Sequence, residues 1–152
     1  MEPVLFIHGF SGGRFHYLPI ELYLKRKGLR KTYEFNYEKR FGEISLREVA
    51  KDLDKFIRKN VKEKSISIVA ISQGGLIAKY YLQKIKKSKI KVNKCITICT
   101  PFKGVWWAKF SQRPGLQDIN YQSKFLKDIE SKDLQNKIKT KFYSVWTPFD
   151  IV

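Results

Sequence analysis

The stretch Ser65-Ile66-Ser67-Ile68-Val69-Ala70-Ile71-Ser72-Gln73-Gly74-Gly75-Leu76-Ile77-Ala78-Lys79-Tyr80-Tyr81-Leu82 decides how this chain folds. Residues 66–71 are a short β-branched apolar run, the pattern of a strand buried on both faces. From Leu76 onward the apolar residues fall at 76, 77, 80, 81 and 85, which is helical spacing. Between the two halves lies Ala70-Ile71-Ser72-Gln73-Gly74-Gly75. A strand that becomes a helix within so few residues pushes its turn residue into a strained backbone region and needs small neighbours. Ala70 and Gly74 supply that room on either side of Ser72. The expected result is a serine oxygen lifted clear of a sheet at a helix start, where backbone N–H groups point outward. The plainer reading is a strand–helix turn whose serine only caps the helix.

Working outward, Val4-Leu5-Phe6-Ile7 reads as a second buried strand that ends in His8-Gly9-Phe10-Ser11-Gly12-Gly13. Glycines there let the backbone turn sharply at a strand's carboxyl end, where open α/β sheets bind ligands. A helix is expected over 18–27, with Pro19 in its first turn and Gly28 at its stop, then a strand over 33–37. Ser45-Leu46-Arg47-Glu48 is a capping box, and it opens an amphipathic helix with Leu46, Val49, Ala50, Leu53, Phe56 and Ile57 on one face. The helix after Ser72 is expected to run to about Lys87, followed by an apolar strand over 94–99. Val105-Trp106-Trp107 forms an aromatic group in a loop; residues 123–129 and 133–138 read as short helices and 141–146 as a last strand. Strands alternating with helices predict a single α/β domain over 1–152, with a mainly parallel sheet and flanking helices.

Composition narrows the partners. The 31 lysines and arginines against 14 acidic residues give a formal charge of +17. Such a balance favours anionic partners, an anionic membrane surface among them; the bland account is a general richness in lysine. No acidic residue stands between Lys64 and Gln117, and the run 84–94 is dense in lysine near a helix end, where lysine also complements the helix dipole. No recognised nucleic-acid module accompanies the charge, which argues against nucleic acid as partner. Cys95 and Cys99, roughly 13 Å apart on a strand, are beyond disulfide reach and read as buried small hydrophobes. With two histidines and no ligand spacing, neither a metal site nor a cofactor is expected. The apolar run 4–7 is too short for a signal or membrane segment, so a cytoplasmic location, peripheral at most to a membrane, is expected.

With the Ser72 turn and the His8-Gly9-Phe10 loop both in view, the chain resembles the α/β-hydrolases, and among them the small bacterial and archaeal lipases and esterases. The Ser72 turn is similar to their nucleophile elbow, with alanine in the place of the first glycine. Thr100-Pro101-Phe102-Lys103-Gly104, Pro114-Gly115-Leu116-Gln117-Asp118, Ser123-Lys124-Phe125-Leu126 and the stretch from Tyr143 to Asp150 resemble later family segments in the right order. The resemblance implies Ser72 as nucleophile, Asp150 as the acid of the triad, and an oxyanion hole from the backbone N–H groups of Phe10 and Gln73. It also implies that His8 supports the oxyanion loop. Trp106 and Trp107, with Phe110, would border the site and meet an acyl chain or a lipid surface, or else cover the core. His16, near a helix start, reads as a surface or packing residue. Triad order in this fold is serine, acid, histidine; no histidine follows Asp150. The expectation is therefore a chain truncated before its last strand and histidine loop, nearly inactive as it stands, or else one that has lost its base.

Two functions follow as expectations. The first is a serine carboxylic-ester hydrolase acting on acyl esters or lipids through an acyl-enzyme, with thioesterase and acyltransferase using the same site. The second is a catalytically dead protein of the same fold that binds anionic membrane surfaces or other anionic partners.

Overall fold

The computed structural model describes residues 1–10, 12–37, 42–130 and 139–146. The expected helix over 133–138 lies outside them, as does Asp150. The elements are β1 (Val4–Ile7), α1 (Leu18–Arg26), β2 (Thr32–Phe35), α2 (Leu46–Asn60), β3 (Ser65–Ile71), α3 (Gln73–Tyr80), β4 (Lys91–Ile98), α4 (Pro114–Gln117), α5 (Lys124–Glu130) and β5 (Lys141–Val145). The five strands form one sheet in the order β2-β1-β3-β4-β5, every pair parallel. The central strands carry continuous apolar runs because both faces of a parallel sheet are covered. On one face Leu5, Ile7, Ile66 and Ile68 join Leu46, Val49, Leu53 and Ile57 of α2 and Leu76 and Ile77 of α3 in the larger core. On the other, Val4, Phe6 and Val69 pack with Tyr17 and Leu29 beside α1.

The strand order places the site. From β1 the chain steps to one side to make β2, then crosses back to β3 on β1's other side. The loops leaving β1 and β3 therefore start from neighbouring strand ends and lead to helices on opposite faces, the switch point at which open α/β sheets bind ligands. His8–Phe10 and Ser72 stand at those two strand ends.

Several local expectations change. The α2 cap is formed differently from a reciprocal capping box: Ser45 Oγ accepts from Arg47 N at 3.2 Å, but Asp118 takes the Ser45 hydroxyl at 2.6 Å and Leu46 N at 2.7 Å. Glu48 reaches Lys51 at 2.7 Å. A distant carboxylate thus satisfies the helix start and ties it to the segment after α4. The helix after Ser72 is α-helical only to Tyr80; a π turn, Tyr81–Ile85, then closes on Lys86 N to Tyr81 O at 2.9 Å. Asp54 of α2 receives the next two amides, Lys87 N at 3.0 Å and Ser88 N at 3.3 Å. The Trp106 segment is a 3-10 helix, Trp106–Phe110, rather than a loop. Cys95 is fully buried, as expected, and burial pushes its thiol up to about 12. Cys99 instead lies just past β4, half-buried, with φ 51°.

Candidate active site

Ser72 joins β3 to α3 with φ 52° and ψ −124°. A positive φ with that ψ is backbone that L residues rarely adopt, and it persists only where the surroundings over-determine it. They do so here. Ser72 N donates to Ile98 O at 2.8 Å, which continues the β3–β4 ladder, and Gly75 N returns to Ser72 O at 3.0 Å. A Cβ on Gly74 would stand 2.8 Å from Ile7 O and closer still to His8 O, so only glycine lets the start of α3 press onto the end of β1. Ser72 makes no side-chain cap bond to α3. This distinguishes the two readings of the stretch: the hydroxyl is not spent on capping.

The β1 loop runs against the same serine. A Cβ on Gly9 would lie 3.0 Å from Ser72 Cβ and 3.3 Å from Ile71 O. Gly12 N donates to Gly9 O at 3.3 Å, closing a turn with Phe10 at its second position. The amides of Phe10 and Gln73 have no acceptor among the described residues. Gln73 opens α3, and its side chain, 3% exposed, reaches Gly115 O at 3.4 Å through Nε2 and accepts from Tyr37 Oη at 3.4 Å.

The two histidines take up distinct places. His8, 2% exposed, stacks on Tyr37 with ring centroids 4.3 Å apart. Its Nδ1 bonds Gly9 O at 2.7 Å and its Nε2 accepts from Tyr37 N at 3.4 Å. Tyr37 Oη also donates to His8 O at 2.8 Å. Both ring nitrogens are engaged, so His8 is a loop support and not a base facing Ser72. His16, by contrast, is exposed, and its Nδ1 accepts from Gly9 N at 3.3 Å. A Cβ on Gly9 would be 3.4 Å from that nitrogen, so one glycine separates the His16 ring from Ser72. The expectation of a surface or packing residue fits this place, but nothing local in the sequence reveals that the 3-10 turn Arg14–His16 carries the ring back over the loop.

Trp106, Trp107 and Phe110 are 63%, 41% and 72% exposed. They follow the carboxyl end of β4, the end of the sheet that carries Ser72, and lead into α4, whose Gly115 meets Gln73. Among the described residues no His/Cys/Asp/Glu group is arranged to hold a metal. None of the described helices is long and apolar enough to cross a membrane.

A five-stranded parallel sheet, helices on both faces and a serine at a strained strand–helix turn define an α/β-hydrolase. The family model for palmitoyl protein thioesterase matches residues 3–148, and the chain belongs to that family, a family of hydrolases. No curated protein matches it in sequence. Among solved structures it is similar to a phospholipase, PlaB from Legionella pneumophila, with TM-score 0.74, 15% identity, and 96% of this chain covering 39% of that one. It is also similar to Bacillus licheniformis lipase BlEst2 in mature form, with TM-score 0.73, 16% identity and coverage of 94% and 64%. Aspergillus fumigatus lipase B follows at TM-score 0.71 and 18% identity, with coverage of 86% and 34%. At such identities the likeness is one of fold. The chain spans less than two thirds of the length of each of these structures.

Proposed function

We propose that this chain carries the nucleophile and oxyanion half of a serine hydrolase acting on acyl thioesters and esters. The observation that carries the proposal is Ser72 itself: strained, free of capping duty, and followed by Gln73, whose amide, like that of Phe10 on the adjoining loop, no described residue accepts. Ser72 Oγ gives up its proton to the base and attacks the acyl carbonyl; the C–S or C–O bond breaks, the thiolate or alcohol leaves, and water then cleaves the acyl-enzyme to the free acid. Phe10 N–H and Gln73 N–H receive the developing oxyanion. Asp150 is the proposed acid that orients the base, and Trp106 and Trp107 are proposed to border the acyl group. No group in the reaction calls for a metal or a cofactor.

Thioesters come first for a chemical reason as well as from the family. A thiolate leaving group, whose thiol has a pKa of about 8.5, departs without protonation, whereas an alkoxide needs a general acid. His8 is committed to its loop, so it supplies no such acid. The expected outcome is that a fluorophosphonate probe labels Ser72 alone, slowly in this chain and faster when imidazole is added as an external base. Acyl thioesters should be cleaved ahead of oxyesters of the same chain. Labelling that persists in Ser72→Ala would remove the nucleophile assignment.

A further inference from the structure

Gly9 is held from both sides by imidazoles. His8 Nδ1 bonds its carbonyl at 2.7 Å, while His16 Nδ1 accepts its amide at 3.3 Å. The two rings must then be opposite tautomers: His8 carries its proton on Nδ1, because its Nε2 accepts from Tyr37 N, and neutral His16 carries its proton on Nε2. The second contact is not incidental. A Cβ on Gly12 would fall on the His16 ring, 2.6 Å from Nε2 and closer still to Nδ1 and Cε1. Gly12 is itself buried, so the ring fills the hollow of the Gly9–Gly12 turn, the space a side chain at 12 would occupy.

The backbone that carries the ring is held as well. His16 N donates to Gly13 O at 3.1 Å, and Tyr17 N to Arg14 O at 3.1 Å. Tyr17, 2% exposed, stacks on Phe6 of β1 with ring centroids 4.7 Å apart. The turn that carries the imidazole is thus tied to the strand that delivers the loop, and the ring itself to the loop.

We propose that neutral His16 is a positioning residue of the oxyanion loop: by taking the Gly9 N–H and filling the turn, it aims the Phe10 N–H at the site beside Ser72. The proposal rests on the reading of Ser72 as nucleophile and Phe10 as oxyanion donor. Oxyanion donors contribute through being aimed before charge develops, so a small rotation of this turn is felt in the transition state more than in substrate binding. A residue at 16 needs two properties, an acceptor where Nδ1 stands and enough bulk to support the turn. Asparagine meets the first and part of the second, since its Oδ1 lies near where Nδ1 does; phenylalanine meets only the second.

The test compares the unaltered chain with His16→Asn and His16→Phe, each checked for folding by far-UV circular dichroism and melting. In ¹⁵N-labelled protein near pH 8, long-range ring correlations should show His16 as the Nε2–H tautomer. The Gly9 amide should exchange about tenfold faster in His16→Phe and return close to its original rate in His16→Asn. A thioester assay should show kcat lower by about tenfold or more in His16→Phe with KM little changed, and largely recovered in His16→Asn. An Nδ1–H tautomer, or a Gly9 amide indifferent to His16→Phe, overturns the proposal. So does a folded His16→Phe that keeps the full kcat. The tautomer and the amide exchange need no turnover. A chain whose Ser72 proves inert therefore still tests the placement of His16, while the nucleophile assignment fails separately. Should His16→Phe not fold, tautomer and exchange in the unaltered chain and in His16→Asn decide the matter alone.

Discussion

At Ser72 the chain keeps strain that its local sequence has no stability reason to keep. A backbone at φ 52° and ψ −124° is open to glycine and costs other residues about 1–3 kcal/mol. Ser72→Gly should therefore remove all probe labelling and yet stabilise the fold by about 1 kcal/mol, once glycine's greater unfolded-state entropy is set against the relieved strain. For a chain of this size that is about 2–4 °C in melting temperature. Ser72→Ala, which keeps a Cβ, should abolish labelling without the gain. A lower melting temperature for Ser72→Gly than for Ser72→Ala would refute the strain account. The turn was legible in the sequence because its need for small residues is local: Ala70 and Gly74 stand at fixed offsets from the serine. His16 was not legible, because its role depends on a turn that folds the ring back onto Gly9 and Gly12, and a lone histidine after two glycines has no spacing that says so. Gly12 is the one clue, a glycine whose missing side chain is replaced by the ring of another residue.

Among the elements, α1 illustrates a buried charge that periodicity overlooks. Glu21 sits in its first turn with a fully buried side chain, held by Lys25 at 2.6 Å, Arg14 at 3.2 Å and the Thr32 hydroxyl at 3.3 Å. Burial alone would raise its carboxyl, but Lys25, Arg14 and Thr32 outweigh that and hold it below the ordinary 4.5. A carboxylate depressed in the folded state adds stability that is complete above its unfolded pKa and is lost as pH falls through the folded one. Stability should thus decline as pH drops below about 4.5, and Glu21→Gln should flatten that part of the acid limb. Glu21→Ala should cost about 2–3 kcal/mol at neutral pH, less than a fully buried pair, because Arg14 and Lys25 are half exposed and regain water. Urea titrations at pH 3 to 7 measure both effects; an acid limb identical in Glu21→Gln and the unaltered chain would rule the account out. The strands and the long helix α2 were readable from apolar period alone. Ser45 at the start of α2 was readable too; the π turn after Tyr80 and the part that Asp118 takes in that cap were not, since each is completed by a carboxylate from another element, Asp54 and Asp118.

Over the whole molecule, the parallel sheet sets one lysine run and Ser72 at opposite ends. Ser72 follows the carboxyl end of β3, whereas Lys84, Lys87, Lys89 and Lys91 cluster where the π turn ends and β4 begins. Those lysines are exposed and stand about 20 Å from Ser72, the length of α3 with its π turn at about 1.5 Å per residue. The parallel sheet was foreseeable from alternating strands and helices; the strand order and this opposition of ends required the fold, because in sequence the run lies only a dozen residues past the serine. We propose that anionic surfaces are bound through this run, which leaves Ser72 and the Trp106–Phe110 turn facing away from the surface. Binding and catalysis should then separate. Replacing the four lysines with glutamine should weaken binding to phosphatidylglycerol-containing vesicles by about a thousandfold, at about 1 kcal/mol per lysine near an anionic surface. Binding by the unaltered chain should also fall steeply as salt is raised, since exposed charges are screened over about 8 Å at physiological ionic strength. The rate of probe labelling at Ser72 should be the same in both proteins, measured without vesicles. Equal binding to neutral and anionic vesicles would remove the electrostatic basis. Vesicle binding that survives the four substitutions but is lost in Trp106→Ala with Phe110→Ala would place the contact at the other end of the sheet, with the serine turned toward the bilayer.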